Sequence, residues 1–123
     1  MRACNPPDWS TARAELSGLL TSAGWRPSVI SDAELALHEV FFNAWRHGDT
    51  VAPLVVFALA DRLLRVSVSD NSPVLPEASL PTDLLALSGR GLFLVRALTH
   101  RFGAEPRKQG KVVWFELIKE SAA

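Results

Sequence analysis

The sequence predicts an α/β two-layer sandwich, of the α+β type in which helices cover one face of a largely antiparallel sheet. Apolar residues recur with helical spacing in three segments, two in the N-terminal part and one after residue 90. Short apolar or alternating segments between and after them are typical of strands. The resulting order is helix, helix, strand, strand, long loop, helix, strand. Helices packed on one side of a sheet satisfy this order.

Two helices are predicted before the first strand. Residues 9–23, WSTARAELSGLLTSA, have one apolar face and are followed by Gly24, which ends the helix. The second helix is predicted to begin at Ser31, because Glu34 stands three residues later in capping-box spacing. It is predicted to end at Gly48, where a C-terminal glycine belongs.

After the second helix, the spacing of apolar residues changes from the helical period to the patterns typical of strands. LVVFALA at 54–60 and LLRVSVSD at 63–70 predict an antiparallel hairpin. Residues 71–90 contain three prolines and no clear period, which predicts a long loop of the kind that is functional or disordered. GLFLVRALTHRFG at 91–103 predicts a third helix, and after a turn KVVWFELI at 111–118 predicts the last strand.

The composition indicates one folded domain and disfavours several classes of protein. The 123 residues suffice for one sizeable core, and 48% of them are hydrophobic, which argues against a disordered chain. The 13 basic and 13 acidic residues cancel, and no basic patch or recognition helix favours nucleic-acid binding. No apolar run approaches the roughly 20 residues that span a bilayer. With Cys4 as single cysteine and no signal peptide, a cytoplasmic location is expected.

Asp70 follows the alternating valines of the second strand. If the strand continues to it, its carboxylate shares a face with Val66 and Val68 under the helices, where a charge is costly unless a donor meets it. There it would accept a hydrogen bond from a ligand amine, such as N6 of adenine. Alternatively, the strand ends at Ser69 and Asp70 opens a turn, a position where Asp is common.

Two glycines flank Arg90 immediately before the third helix, in SGRGLFLV. A helix N-terminus offers free N–H groups and positive potential, and glycine lets the backbone approach a ligand closely. Arg90 adds a charged donor, so the segment suits a phosphate group. The alternative is a flexible hinge in the loop.

Glu39, Asn43 and His47 stand four residues apart and therefore lie on one stripe of the second helix. The simplest interpretation is a polar stripe facing water. Asn is a poor helix former, however, so its position inside the helix invites another explanation. An Asn oxygen can ligate Mg²⁺ shared with substrate phosphates, and a Glu one turn earlier could orient or deprotonate a nucleophile. His47 is expected to cap carbonyls or to pack.

Together, ELALHEVFFNAWRHG, VSVSDNSP, SGRGLFLV and GKVVWFEL resemble the ATP-binding domain shared by histidine kinases, gyrase-type ATPases and heat-shock protein 90. The resemblance runs from about Ser31 to Leu117. It is greatest to the stand-alone bacterial branch, the anti-sigma factor serine/threonine kinases. Residues 1–123 would then form a single histidine kinase-like ATPase domain.

The resemblance implies a role for each matching residue. Glu39 would be the general base, which activates a serine hydroxyl or a water, and Asn43 would coordinate Mg²⁺ between the ATP phosphates. Asp70 would bind the adenine amine, and residues 71–88 would form a mobile lid over the nucleotide. The other residues implied at the nucleotide site are His47 and Gly48 at the end of the motif helix, Ser72 beside adenine, and Gly89, Arg90, Gly91 and Leu92 at the phosphates.

The chain departs from the family pattern at two places. The family's first glycine motif often reads Asp-x-Gly-x-Gly, whereas this chain has Ser72 at the first glycine, beside adenine. In the last strand, relatives often carry a Thr after Gly-Lys that supports the adenine-binding Asp. Val112 stands there and cannot form that hydrogen bond, at a cost of about 1 kcal/mol. Both departures are expected to reduce nucleotide affinity.

The expected function is that of an ATP-dependent regulator, which phosphorylates a Ser or Thr on a sigma factor, an anti-sigma antagonist or a similar protein partner. The alternative is a non-catalytic module in which ATP or ADP sets the lid conformation and hence the affinity for the partner. An autophosphorylating histidine kinase is disfavoured, because the chain leaves no room for a phosphoacceptor domain. Four tryptophans, some of them expected at an interface, allow a homodimer of the kind that relatives form.

Overall fold

The computed structural model shows two N-terminal helices followed by a sheet into which a third helix is inserted. The structure describes residues 9–47, 53–72 and 91–119. The elements are α1 (Trp9–Ser22), α2 (Pro27–His47), β1 (Leu54–Ala60), β2 (Leu63–Asp70), α3 (Gly91–Leu98), β3 (Arg101–Arg107) and β4 (Gly110–Ile118). In this part of the chain the strands form one antiparallel sheet in the order β1-β2-β4-β3. The predicted two-layer α/β sandwich is confirmed.

The core lies between the helices and the inner face of the sheet. Its largest fully buried side chains are Leu16, Leu20, Leu37, Val40, Phe41, Leu64, Val66, Val68, Val95 and Phe115. Burying one such side chain contributes about 1.5–3 kcal/mol. Small side chains at Ala33, Ala36 and Ala44 are also buried, which lets α2 lie close to the layer that it covers. α2 packs against α1, β2 and α3, and is therefore the central helix of the described residues.

The predicted end of α1 at Gly24 is confirmed. Gly24 has φ +79°, its N–H donates to the carbonyl of Thr21 (3.1 Å), and the N–H of Trp25 donates to the carbonyl of Leu20 (3.0 Å). These two bonds form a Schellman motif, which satisfies carbonyls that the helix end leaves open. Trp25 and Leu20 are both buried in the core cluster, so the motif also directs the chain back into the core.

The second helix begins earlier than predicted, at Pro27 instead of Ser31. Val29 and Ile30 both donate their N–H groups to the carbonyl of Arg26 at 3.0 Å, so Ser31 already lies inside the helix. Proline fits this first turn, because its missing N–H has no partner there and its φ is already helical. The capping-box spacing at Ser31 and Glu34 is therefore coincidental.

The third helix is shorter than predicted, and a strand was missed. α3 ends at Leu98, and residues predicted to continue it or to form a turn belong instead to β3, which pairs with β4. Gly103 and Pro106 are unfavourable in most strands, which hid β3 in the sequence. Both are tolerated here because β3 is an edge strand, and because the ring of Trp114 covers Gly103, where a Cβ would come within 2.6 Å of that ring.

The outer face of the sheet carries a charged cluster around Trp114. Cζ of Arg65 lies 4.1 Å and Cζ of Arg101 lies 5.5 Å from the centre of the indole ring. Both arginines form ion pairs with the Glu116 carboxylate, at 3.0 and 3.3 Å. On edge strand β1 the same face is apolar, with Leu54 63% and Val56 52% exposed.

The four tryptophans pack within the chain. Trp25 and Trp45 are buried, and Trp9 and Trp114 are half-buried. Part of Trp9 and Trp114 remains accessible, so the expectation that some tryptophans lie at an interface stays a prediction. None of the helices in the described ranges has the length and apolar character needed to cross a membrane.

Replacing Gly110 by alanine is expected to destabilise the fold by at least about 2 kcal/mol. Gly110 has φ +105°, and a Cβ there would lie 2.7 Å from Cα of Asn71 and would overlap the carbonyl oxygen of Asp70. Urea denaturation measures the change. Gly18→Ala is the matched control, because Gly18 lies within α1 with no atom near its Cβ position, and it should stabilise by about 0.5–1 kcal/mol. Equal stability of Gly110→Ala and wild type would contradict the close approach.

Candidate functional site

Asp70 is the last residue of β2 and lies on the inner face of the sheet. The burial pattern of β2 alternates, with Leu64, Val66, Val68 and Asp70 all buried. The Asp70 side chain is only 1% exposed. The prediction that the strand continues to Asp70 is confirmed, and a carboxylate at this depth requires donors.

Lys111 supplies the main donor. In the antiparallel register Lys111 of β4 pairs with Asp70 of β2, so both side chains lie on the same face. Nζ of Lys111 lies 3.0 Å from Oδ1 and 2.9 Å from Oδ2 of Asp70, and the lysine side chain is 6% exposed. Each charge is compensated by the opposite charge instead of by water, and a buried ion pair is tolerated under that condition.

Ser72 completes the cluster through its backbone. Its N–H donates to Oδ1 of Asp70 at 2.9 Å, and its carbonyl accepts a longer contact from Nζ of Lys111 at 3.4 Å. The N–H contact is an Asx turn, so Asp70 both ends the strand and opens the turn. The two interpretations of Asp70 that the sequence allowed are therefore compatible.

The two oxygens of Asp70 differ in their contacts. Oδ1 receives hydrogen bonds from Ser72 and Lys111. Oδ2 is in ion-pair contact with Lys111 but receives no aligned hydrogen bond from the described residues, although it is buried. A buried acceptor without a hydrogen bond is costly, and an amine of a bound ligand would satisfy it.

The expectation that position 112 faces Asp70, and that Val112 there costs a hydrogen bond, was wrong. Val112 pairs with Ser69, so its side chain lies on the outer face, away from Asp70. The supporting position is Lys111, which the sequence analysis missed. The signal was present: Val113 and the alternate residues after it form the inner face of β4, and Lys111 continues that alternation by one step.

Glu39 and Asn43 lie on one flank of α2. The rings of His38, Phe41 and Phe42 pack around Trp9 of α1, with ring centres 5.2–5.5 Å from it. Because Glu39 and Asn43 lie on a different stripe of the helix, they are on the flank turned away from that contact. Both are half-buried, so the stripe is neither core nor fully exposed surface.

The two polar side chains on this flank differ in their contacts. Oε1 of Glu39 lies 3.5 Å from Nδ1 of His38, and the ring of His38 stacks on Phe42 with centres 4.4 Å apart. Asn43 makes no side-chain hydrogen bond with the residues that the structure describes, so its amide oxygen is free to meet a ligand. α2 packs against β2, but no hydrogen bond or ion pair within the described ranges connects Glu39 or Asn43 to Asp70.

The phosphate-side predictions fall largely outside the described residues. Gly48, Gly89 and Arg90 lie there, as does most of the predicted lid at 71–88. His47 is the last residue of α2, and Gly91 is the first residue of α3, as predicted. The side chains of His47 and Leu92 are also outside what the structure describes.

The residues present suit a magnesium ion that is shared with phosphates. Among the described residues no cluster of three or more His, Cys, Asp or Glu could hold a metal by itself. Mg²⁺ commonly needs only one or two protein oxygens when substrate phosphates and water complete its shell. The free amide oxygen of Asn43 fits that arrangement.

Replacing Lys111 by methionine is expected to destabilise the protein by about 3–5 kcal/mol, because the Asp70 carboxylate would stay buried without its counter-charge. Asp70→Asn combined with Lys111→Met should recover most of that loss, which chemical denaturation of the single and double variants would show. The control is Arg13→Met, which breaks the more exposed Arg13–Glu34 pair (3.7 Å) and should cost less than about 1 kcal/mol. Additive effects of the two site substitutions would contradict an energetic coupling between Asp70 and Lys111.

Comparison with known protein families gives one extended match. The model of the histidine kinase-like ATPase domain matches residues 4–117, which is nearly the whole chain. None of the curated proteins matches the chain significantly. The family match does not distinguish the anti-sigma factor kinases from the other branches, but it supports nucleotide binding and an ATP-dependent regulatory role. The chain belongs to the histidine kinase-like ATPase domain family.

Proposed function

We propose that this protein binds ATP with the base at Asp70 and transfers the γ-phosphate to a serine or threonine of a protein partner. The observation that carries the proposal is the buried Oδ2 of Asp70, an acceptor without an aligned hydrogen bond among the described residues, in a chain of an ATP-binding family. The exocyclic amine of adenine is a donor that such an acceptor would bind. Asp70 would thus recognise the base.

The phosphates would lie along the flank of α2 that carries Glu39 and Asn43. The half-buried amide of Asn43, without a side-chain hydrogen bond to the described residues, supports its assignment as the protein ligand of Mg²⁺. Mg²⁺, when bound, would neutralise charge on the phosphates. Gly89, Arg90 and Gly91, immediately before or at the start of α3, would add backbone and guanidinium donors.

Glu39 is proposed as the general base of the transfer. The hydroxyl oxygen of the partner's serine or threonine would form a bond to the γ-phosphorus, and the bond between that phosphorus and its bridging oxygen would break to release ADP. The hydroxyl proton would pass to the Glu39 carboxylate.

The partner is proposed to be a sigma factor, an anti-sigma antagonist or both, by similarity to the anti-sigma factor kinase branch. Leu35 supports a macromolecular substrate, because it precedes Glu39 by one helical turn and is 41% exposed. An exposed apolar side chain beside the proposed base suits a protein surface that presents its hydroxyl there. A cytoplasmic location and a homodimer remain predictions.

A second candidate function is a non-catalytic module whose affinity for its partner depends on bound nucleotide. The observation that favours it is the departure at Ser72, which is buried beside Asp70 where the family often has glycine. A side chain at this position constrains the turn that follows β2. Nucleotide would then act by setting the conformation after residue 72, without phosphoryl transfer.

Asn43→Ala is expected to weaken the magnesium-dependent part of ATP binding. Calorimetric titration of ATP and ADP into wild-type protein should show tighter binding with Mg²⁺ than without it. The variant should lose about 10-fold or more of that gain, because the protein would no longer supply an oxygen ligand. Gln109→Ala, which removes an exposed amide from the turn between β3 and β4, should bind as wild type does. An unchanged magnesium effect in folded Asn43→Ala would remove Asn43 as the ligand.

Glu39→Gln is expected to lower the rate of phosphoryl transfer to the partner by roughly 10²–10⁴-fold, while ATP affinity stays near that of wild type. Transfer from γ-labelled ATP to purified candidate partners, read as labelled protein, measures the rate. Glu34→Gln is the control, because Glu34 lies on the same helix but pairs with Arg13 of α1.

The phosphoryl-transfer assay also distinguishes the two candidate functions. Wild-type transfer that persists in Glu39→Gln would exclude Glu39 as the base. If the wild-type protein shows no transfer but retains its partner more strongly with one nucleotide state than with none, the non-catalytic module is correct.

A further inference from the structure

We propose that two copies of this chain associate through the free edge of β1, which pairs antiparallel with β1 of the second copy and joins the two four-stranded sheets into one. The inference goes beyond the proposed function, because the association requires neither bound nucleotide nor phosphoryl transfer. The family match assigns no interface to this strand. The support comes from the sequence of β1, its place in the sheet and the side chains beside it.

The first support is that β1 lacks the features that keep an edge strand from pairing. Its sequence, LVVFALA, contains no charged residue, no proline and no glycine. Among the described residues β1 pairs only with β2, and this pairing runs without a bulge from Leu54 opposite Ser69 to Ala60 opposite Leu63. A regular apolar edge of this kind presents backbone N–H and C=O groups that favour pairing with another strand.

The second support is that the opposite edge of the same sheet is protected. β3, RFGAEPR, carries charged side chains at Arg101, Glu105 and Arg107. Pro106 has no N–H to offer to a further strand, and Gly103 weakens the strand interior. Charges and proline are the usual means by which an edge strand avoids pairing with another chain. Strand pairing between copies is therefore directed to β1 and not to β3.

The third support is the apolar surface beside this edge. Of the five exposed large hydrophobic side chains among the described residues, four lie on the outer face of the sheet: Leu54, Val56, Leu63 and Ile118. The two most exposed of them, Leu54 and Val56, belong to β1. On the inner face Phe57 packs against the core but is only partly buried. A strand placed beside β1 would cover apolar side chains on both faces, in addition to forming backbone hydrogen bonds.

The fourth support is that β1 is complementary to itself, which favours a second copy as the occupant. Antiparallel pairing about a two-fold axis normal to the sheet keeps the helices of both copies on one side, and each copy then contributes the same surface. If the pair is centred on Phe57, the middle residue of the strand, Val56 lies opposite Ala58 of the second copy. All cross-strand contacts are then apolar. The formal net charge of zero adds no repulsion between the copies.

Sedimentation velocity of the full chain without nucleotide tests the association, and wild-type protein should be dimeric at micromolar concentration. Val56→Lys should weaken the dimer by about 10-fold or more, because two lysines would then lie diagonally across the joined edge. Val56 is half exposed, so this change should leave the fold intact. Ile118→Lys is the matched control, which puts the same charge on the same face but on the interior strand β4, and it should dimerise as wild type does.

A disulfide cross-link tests the register of the pair. In a Cys4→Ser background, Val56→Cys combined with Ala58→Cys places thiols opposite each other across the two-fold axis, with Cβ atoms about 4.5–5.5 Å apart. Mild oxidation should then give a covalent dimer on a non-reducing gel. Glu105→Cys combined with Arg107→Cys places the same spacing on the other edge strand, β3, and should leave the protein largely uncross-linked.

Three results would overturn the inference. Wild-type protein that stays monomeric at high micromolar concentration has no such interface, and a dimer that persists unchanged in folded Val56→Lys uses another surface. A dimer that is lost equally in Val56→Lys and Ile118→Lys forms by stacking of the outer faces. If Val56→Lys does not fold, the cross-link decides, and equal cross-linking on β1 and β3 would reject edge pairing. Because nucleotide is absent throughout, none of these results bears on the proposed function.

Discussion

The ion pair between Asp70 and Lys111 is the interaction on which the candidate site depends. It joins the end of β2 to the start of β4 on the inner face of the sheet, where both charges are removed from water. Such a pair rarely adds much stability compared with apolar residues, since desolvation offsets most of the attraction, but losing one partner is severe. A fold that keeps it therefore retains two charged groups at fixed positions, which is what recognition of a polar ligand requires.

Close contacts also fix the backbone around this ion pair. Gly110 approaches the Asp70 backbone so tightly that no side chain fits, and the Ser72 N–H closes a turn on the Asp70 carboxylate. These contacts make the direction of the chain leaving β2 depend on the same carboxylate that is available to a ligand. A base bound at Oδ2 would thus contact the carboxylate that holds the turn at Ser72.

The sequence predicted the parts of the fold that local pattern determines. Alternation placed β2 and located Asp70 on the buried face, and Gly24 correctly marked the end of α1. What failed depended on the tertiary context. β3 contains Gly103, and glycine is unfavourable in a strand unless a neighbour covers it, as the ring of Trp114 does here. α2 begins at Pro27, and proline is unfavourable in a helix except in its first turn.

The candidate site was predictable to the same extent. Asp70 and Asn43 were identifiable as candidates because each conflicts with its local pattern, a carboxylate on an apolar face and an amide within a helix, and Glu39 because it stands one turn before Asn43. The alternation of β4 places Lys111 on the inner face, but its role follows from its partner Asp70 across the sheet, which the sequence of β4 alone does not identify. The supporting position was placed at residue 112, one residue too far along, and in a strand such a shift moves the side chain to the opposite face.

The sheet and the helical layer offer different chemical groups to a ligand. The sheet supplies a buried carboxylate, which suits an amine on a planar base. The flank of α2 supplies half-buried oxygens, which suit a cation such as Mg²⁺ that is shared with phosphates. The alanines at 33, 36 and 44 bring α2 close to the core, so that one ligand could contact both layers.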